Sequence, residues 1–382
     1  MQKNKLIILL LITIIIVILA LLLKDGKTNE SSKCLRKSYD TYLEKFMTKD
    51  GRIMDPDRKN ITTSEGQSYI LMRSVAMENR KTFDLVYKWT KDNLQRKDNL
   101  FAWLWGENKD GEYKSLDNNS ASDADTDIAF SLLVAYHKWK DDKYLKEALP
   151  IIDSIWDKET KRIGQYLILM PGVVQATSAK IEINPSYFST YAYRFFQKYD
   201  DKHDWNELID SSYYYLNQAM SKTQTGLPPN WFLIENGQIV LENSERSDFS
   251  YDAIRVFQRA YLDYVRTGDK RDLAILEKSK FFIEKWNENK EFYTNYKANG
   301  ELRDKAKFIG SIAILVPVIS IYDSKVASEI YKTEVEPYFK NDKYWEAKHD
   351  YYAKNLLWFG CYFYHKNSKE YKDMHKRRIK DY

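Results

Sequence analysis

Acidic residues occur at several positions where helices are predicted to begin. Asp123, Asp125 and Asp127 alternate directly before an apolar pattern of helical spacing, and Glu65 and Asp252 precede two further patterns of this kind. Unpaired backbone N–H groups and the helix dipole stabilise anions at such positions, so capping alone can explain any one of these acids. A protonated and an ionised carboxyl group facing each other across a bond can also hydrolyse it by acid–base catalysis.

The elements that would position these acids are helices in neighbouring pairs. The patterns cover residues 66–77 with 82–94, 125–139 with 143–156, 186–199 with 205–220, 251–267 with 271–286, and then 308–322 and 352–364. Strand patterns are scarce, and residues 238–241 after Asn236-Gly237 form the best hairpin candidate. Periodicity alone therefore predicts one all-α domain, residues 36–382.

Three of these segments resemble elements of one enzyme family. Residues 121–139 are similar to the signature of glycoside hydrolase family 8, which reads Ala, Ser or Thr, Asp, Ala or Gly, Asp, two free positions, Ile or Met, Ala. Residues 64–69 with Arg73, and residues 251–255, resemble two further elements of the family. The resemblance implies that the all-α domain is an (α/α)6 barrel, a toroid of six inner and six outer helices.

The resemblance also implies a role for each acid. Glu65 would be the general acid, Asp252 the general base, and Asp123 would bind the sugar at the cleavage point. The implied inversion of configuration predicts that the Glu65 and Asp252 carboxyl groups lie roughly 6.5–9.5 Å apart, which leaves room for a water. Glu65 must stay protonated, which burial or the charge of Asp123 would favour, whereas Arg255 is expected to keep Asp252 ionised.

Substrate contacts are expected from the same elements. Flat aromatic rings cover the apolar faces of pyranose sugars, although core packing is the competing explanation for each ring. The residues expected to bind substrate are Asp125, Trp103, Tyr187, Tyr251, Arg255, Tyr351 and Tyr352. Asn230 stands where the family has an Asp in a Gly-Leu-x-Pro-Asp-Trp element, a departure that matters only if the acid binds substrate.

The N-terminus predicts a membrane anchor. Residues 6–23 are apolar apart from Thr13, and at a rise of 1.5 Å each they span roughly 27 Å, enough for a bilayer core. Lys3 and Lys5 favour a cytoplasmic position for residues 1–5, so the catalytic domain would lie outside the cell membrane, after a linker over residues 24–35. A cleaved signal peptide is the alternative, for which only Ala20 offers a small residue.

Composition argues against some classes of binding partner and cofactor. The net charge is +5 without long blocks of like charge, which argues against nucleic acid. The five histidines include no His-x-x-x-His pair, so we expect neither a metal nor another cofactor. Cys34 and Cys361 are the only cysteines, and an exported compartment would permit a disulfide between them, but their spacing leaves the pairing open.

These observations predict a membrane-anchored endo-acting hydrolase of β-1,4-glycosidic bonds, acting on a cellulose-like glucan or a secreted exopolysaccharide. By analogy with anchored enzymes of the family, its partner would be a polysaccharide synthase complex. Two alternatives stay open. The same fold could act on xylan, chitosan, mixed-linkage glucan or an acetamido-sugar exopolysaccharide, or the chain could be a non-hydrolytic glycan-binding subunit of a synthase.

Overall fold

The computed structural model describes residues 34–173, 180–340 and 351–374. The first helix, α1, covers residues 34–46 and so begins inside the predicted linker. The predicted transmembrane segment, residues 6–23, lies outside the described residues. Within the described ranges, no helix is both long and apolar enough to cross a membrane.

The helices differ in the length of the connections between them. After α1 they are α2 (Ser64–Ala76), α3 (Arg80–Leu94), α4 (Ser122–Trp139), α5 (Asp142–Ser154), α6 (Thr190–Phe196), α7 (Trp205–Ser221), α8 (Ile254–Thr267), α9 (Lys270–Leu276), α10 (Lys280–Asn289), α11 (Ile309–Ile319), α12 (Ser324–Ile330), α13 (Glu336–Lys340) and α14 (Tyr351–Met374). Some helices are joined by short connections, whereas the connections after α3, α5 and α7 are long and contain strands.

Alternate helices pack into an inner ring. Helices α2, α4, α6, α8, α11 and α14 contact one another in that order. The Arg73 guanidinium of α2 donates to the Asn355 side chain of α14 at 2.8 Å, which closes the ring. Helices α3, α5, α7, α9 and α12 each pack outside the inner helix that precedes them, and α1 packs on α14. This arrangement fits the predicted (α/α)6 barrel.

Burial distinguishes the two layers. Inner helix α11 is buried without interruption from Gly310 to Ile319, because neighbours cover it on every side. Outer helix α3 buries one face, with Phe83, Val86 and Trp89 at spacings of three residues, and exposes the opposite face. Apolar residues all round an inner helix and on one face of an outer helix therefore account for the two-layer ring.

Short antiparallel strands lie in the connections between the helices. The sheets are β1 (Thr62–Thr63) with β2 (Ala102–Glu107) and β3 (Tyr113–Ser120), β4 (Thr160–Ile163) with β5 (Tyr166–Leu169), and β6 (Lys180–Ile183) with β7 (Phe232–Glu235) and β8 (Gln238–Val240). The hairpin predicted after Asn236-Gly237 is confirmed, and both turn residues have positive φ, as a tight hairpin turn requires. The other strands were not predicted, because they are short and β3 is mostly exposed.

Three predicted helices differ in the structure. Helix α8 begins at Ile254, so Tyr251 and Asp252 lie in the turn before it. The predicted helix 186–199 is a 3-10 turn (Pro185–Tyr187) followed by α6, because Phe188 is extended between them. The predicted helix 271–286 is divided into α9 and α10 by a 3-10 turn.

Candidate active site

The predicted catalytic acids meet at one end of the ring. Glu65 and Asp123 are each the second residue of an inner helix, α2 and α4, and Asp252 lies just before α8. An outer helix returns the chain after each inner helix, so the inner helices begin at the same end. Their N-terminal dipoles stabilise negative charge there.

One guanidinium joins the three carboxyl groups. Arg255 Nη1 lies 2.6 Å from Glu65 Oε2 and 2.7 Å from Asp123 Oδ2, and Nη2 lies 2.8 Å from Asp252 Oδ1. The side chains of Arg255 and Asp123 are only 3% exposed, whereas those of Glu65 and Asp252 are 24% and 35% exposed. Glu65 and Asp252 therefore face solvent across a buried cation, and the carboxyl separation of 6.5–9.5 Å stays a prediction.

The charge balance of this cluster favours a proton on Glu65. Burial raises the pKa of Glu65 to about 7, although the charge of Arg255 acts to lower it, and the charges of Asp123 and Asp252 add to the increase. Burial also raises the pKa of Asp123. One cation cannot compensate three ionised carboxylates in a desolvated site, so a proton remains near neutral pH. The expectation that Glu65 stays protonated remains a prediction, and the raised pKa supports it.

Asp252 has a second partner that the sequence did not reveal. Trp231 Nε1 donates to Asp252 Oδ2 at 3.0 Å. The preceding residue, Asn230, accepts from the Ala253 backbone N–H at 3.0 Å and donates to the Ser250 hydroxyl at 2.7 Å. These hydrogen bonds of Asn230 hold the loop that contains Trp231 against the turn that carries Asp252. They explain how an amide is accommodated where the family has an Asp. The resemblance of residues 226–231 to the Gly-Leu-x-Pro-Asp-Trp element is the sequence feature that could have identified Trp231 as a site residue.

Replacing Trp231 by Phe is expected to lower kcat about tenfold with little change in stability, because Asp252 loses the donor that orients one of its oxygens. Steady-state kinetics on a soluble glycan would measure this. Trp286→Phe is the matched control, since Trp286 of α10 also donates to a carboxylate, that of Glu329 on outer helix α12, at 3.1 Å. An equal loss of kcat in both variants would contradict an orienting role for Trp231.

Two aromatic side chains border Arg255. The guanidinium carbon lies 5.4 Å from the Tyr187 ring centroid, and Tyr187 meets Trp231 edge to face at 6.1 Å between centroids. Tyr69 accepts a long hydrogen bond of 3.4 Å from Arg255 Nη1. Tyr187 is a predicted contact residue, whereas Tyr69 was missed even though it lies in the segment that resembles the family. Only the fold shows that its hydroxyl reaches the cluster.

A second aromatic group lies beside Asp252. Tyr251 is 48% exposed, and its ring packs edge to face on Phe308, with 4.8 Å between centroids. The Tyr352 hydroxyl donates to the Tyr251 carbonyl at 3.1 Å, and the Tyr352 ring stacks on Phe308 at 5.9 Å. The structure therefore brings the predicted residues Tyr251 and Tyr352 together around Phe308, which was not predicted.

Trp103 lies in strand β2. The next residue, Leu104, pairs with Thr63 of β1, which directly precedes α2. It is partly exposed, and its indole hydrogen bond, after that of the Asn119 backbone, lowers the pKa of Asp117. Trp103 is therefore a partly exposed ring on the central strand of this sheet, next to the residue that pairs with Thr63.

Two of the predicted contact residues lie behind the site. Tyr351 is 4% exposed and its hydroxyl shares a hydrogen bond with Thr63 Oγ1 at 3.0 Å. Its ring fills the space next to Gly66, where an added Cβ would come within 3.0 Å. Asp125 is fully buried, and its Oδ1 accepts from the Phe101 N–H at 2.9 Å. Both side chains therefore support the site from the interior, because they point inward from their helix starts.

Asp125 has an acidic neighbour that was not predicted. Glu159 is fully buried, and Ser120 Oγ donates to its Oε1 at 2.6 Å. Burial raises the pKa of Glu159 to about 8, and burial with the charge of Glu159 raises that of Asp125 well above its usual range. Burial therefore favours the protonated forms of this acid pair, which limits the negative charge behind Asp123.

The described residues offer no metal site. Among them, no group of three or more His, Cys, Asp or Glu side chains is arranged to hold an ion. The expectation that the chain needs neither a metal nor a cofactor stays a prediction.

The comparisons with known proteins agree on one family. The model of Glycosyl hydrolases family 8 matches residues 17–365. An endoglucanase from Salmonella typhi is 30% identical over 259 residues, 66% of this chain and 68% of the relative. An endoglucanase from Escherichia coli (strain K12) is 32% identical over 231 residues, 59% of this chain and 61% of the relative.

A solved structure agrees with both. The crystal structure of endo-1,4-D-glucanase from Vibrio fischeri ES114 superposes with a TM-score of 0.75 at 28% identity and covers 88% of this chain and 95% of that one. The similarity to this solved structure therefore extends over most of the chain.

Proposed function

Because the chain belongs to family 8 of the glycosyl hydrolases, we propose that this glycosidase cleaves internal β-1,4 bonds of a cellulose-like glucan or a secreted exopolysaccharide with inversion. Hydrolysis of β-1,4 glycans follows from the family and its endoglucanase members. The observation that carries the finer proposal is the Arg255 cluster, which holds Glu65, Asp123 and Asp252 at the common end of the inner helices.

Each acid has a distinct task in this proposal. Glu65, whose pKa is raised to about 7, donates its proton to the departing glycosidic oxygen. Asp252, oriented by Trp231 and Arg255, accepts a proton from the water that attacks the anomeric carbon from the opposite face. The proton lost by Glu65 is restored from solvent. Asp123 lies beneath Arg255 and would bind the sugar at the cleavage point.

In this proposal, aromatic side chains bind the glycan. Trp103 lies on the strand that pairs with the residue before α2, and Tyr251 with Tyr352 lies at the turn that carries Asp252. In this proposal a glycan chain stacks its apolar sugar faces on these rings while the scissile bond lies at the Arg255 cluster. Aromatic contacts with several sugar units are suited to cleavage inside a chain.

A glycan panel tests the proposal. We expect the purified protein to release reducing ends from a soluble cellulose derivative faster than from xylan, chitosan, mixed-linkage glucan or an acetamido-sugar exopolysaccharide. Proton NMR during the first turnovers should show the new reducing end with the configuration opposite to that of the cleaved bond. Retained configuration would contradict the roles of Glu65 and Asp252, and binding without any turnover would favour the glycan-binding alternative.

The activity is expected to fall as the pH rises through about 7. The competent form holds a proton on Glu65, and the population of that form decreases about tenfold for each pH unit above its pKa of about 7. Initial rates measured from pH 5 to 10 in buffers of constant ionic strength would show this alkaline limb. Full activity about two units above neutral would contradict Glu65 as the proton donor.

The location is a further part of the proposal. Residues 6–23 would anchor the chain with the catalytic domain outside the cell membrane, next to a polysaccharide synthase complex. The apolar length of this segment and the lysines before it support the orientation. Protease added to intact spheroplasts should degrade the catalytic domain, and a protected domain would contradict this location.

A further inference from the structure

Within the described residues, the first helix, α1, and the last helix, α14, pack side by side. Asn355 Nδ2 of α14 donates to Tyr42 Oη of α1 at 2.8 Å. Trp358 Nε1, three residues further along α14, donates to the Leu35 carbonyl at 3.1 Å. Contacts that move forward along α14 move backward along α1, so the two helices are antiparallel, and they form the seam where the ring begins and ends.

This antiparallel packing brings the cysteines to the same place. Cys34 directly precedes Leu35, and Cys361 lies one helical turn beyond Trp358 on the same face of α14. Cys361 is buried and Cys34 is partly exposed. Burial raises the pKa of the Cys361 thiol well above its usual range, and Cys34 adds to the increase. Tyr331 borders both sulfurs, since each raises its pKa after the effect of burial.

We propose that Cys34 and Cys361 form a disulfide that closes the helical ring at its seam under oxidising conditions. Its occurrence in the cell depends on the extracytoplasmic location proposed above, because cytosolic thiols are kept reduced. The ability of the two sulfurs to pair depends only on their positions in the fold, so it can be tested on the purified chain.

Thiol–disulfide exchange with an external disulfide supplies the oxidant. The partly exposed Cys34 thiolate attacks the external disulfide, which forms a mixed disulfide and releases one thiol. The Cys361 thiolate then attacks the Cys34 sulfur, which forms the internal bond and releases the second thiol. Two protein thiols are oxidised, one external disulfide is reduced, and the two protons pass to the released thiolates.

The bond would stabilise the domain through its unfolded state. It closes a loop on the order of 300 residues, which removes chain entropy from the unfolded ensemble. It would also hold α1, the helix that follows the predicted linker, to α14. The ring would then resist opening where α1 packs on α14.

The test uses the purified full-length protein in detergent, incubated with oxidised or with reduced glutathione. After oxidation we expect neither cysteine to react with N-ethylmaleimide in denaturant, and mass spectrometry to find the peptide of Cys34 linked to that of Cys361. The reductant should lower the Tm of the oxidised protein by on the order of 5 °C. None of these measurements depends on glycan hydrolysis, so failure here and failure of the proposed function are distinguishable.

Cys34→Ser is the matched control, because Cys34 is partly exposed and its replacement changes little packing. The Tm of this variant should equal that of the reduced wild type and should not respond to reductant. A stable glutathione adduct on Cys34 without the internal bond, a disulfide-linked dimer, or an unchanged Tm on reduction would each overturn the proposal.

Discussion

Replacing Glu65 by Gln is expected to lower kcat by roughly three orders of magnitude while KM changes only a few-fold. The amide has the shape of the carboxyl group and can still accept the Arg255 hydrogen bond of 2.6 Å, so the site should keep its geometry. It cannot donate a proton to the departing oxygen. Reducing-end assays on the glycan preferred in the panel would measure the loss.

Two comparisons make this result specific. Glu207 is another acid in the first turn of a helix, outer helix α7, and it forms an ion pair with Arg162 at 2.6 Å. The kcat of Glu207→Gln should match that of the wild type. An aryl glycoside with a good leaving group needs no proton from Glu65, so Glu65→Gln should cleave it with a much smaller loss. An equal loss on both substrates would contradict the general-acid role.

Replacing Arg255 by Gln is expected to lower both stability and activity. Three carboxyl groups would lose their shared cation, and breaking a buried ion pair costs about 3–5 kcal/mol, which lowers the Tm by on the order of 10 °C. Glu65 and Asp252 would lose the common partner that fixes their relative positions, so kcat should fall at least about a hundredfold. Thermal unfolding followed by circular dichroism, together with kinetics below the Tm, would measure both effects.

The pH profile of this variant separates electrostatics from packing. Arg255 lowers the pKa of Glu65, so its removal should raise that pKa and move the alkaline limb of the residual activity to higher pH. Arg271→Gln is the matched control, because Arg271 also bonds two carboxylates, those of Asp269 and Asp210, but is 39% exposed. Its Tm should change by only a few degrees. A similar change in both variants would contradict the special cost assigned to the buried cluster.

The ring explains why residues so far apart in the chain act together. Glu65 and Arg255 are separated by 190 residues, and Asp123 and Arg255 by 132. Each acid is tied to a local helix start, so its position requires only that the inner helices begin at a common end. Arg255 of α8 then contacts all three carboxyl groups.

The sequence by itself determined the local features of this protein. Helix starts at Glu65 and Asp123, the apolar pattern of the helices, the tight turn at Asn236-Gly237 and the family signature in residues 121–139 all depend on neighbours a few residues away. Such information predicts that a helix begins with an acid, and the resemblance adds what the acid is for.

Only the tertiary structure decided which partners these residues have. The sharing of Arg255 by three acids, the Trp231 donor to Asp252, the inward positions of Asp125 and Tyr351, and the meeting of Cys34 with Cys361 could not be predicted. Each depends on which side chains from distant segments lie against one another and on how much solvent they exclude. The helical pattern records which face is buried, but it carries no information on what covers that face, because any apolar neighbour satisfies it equally well.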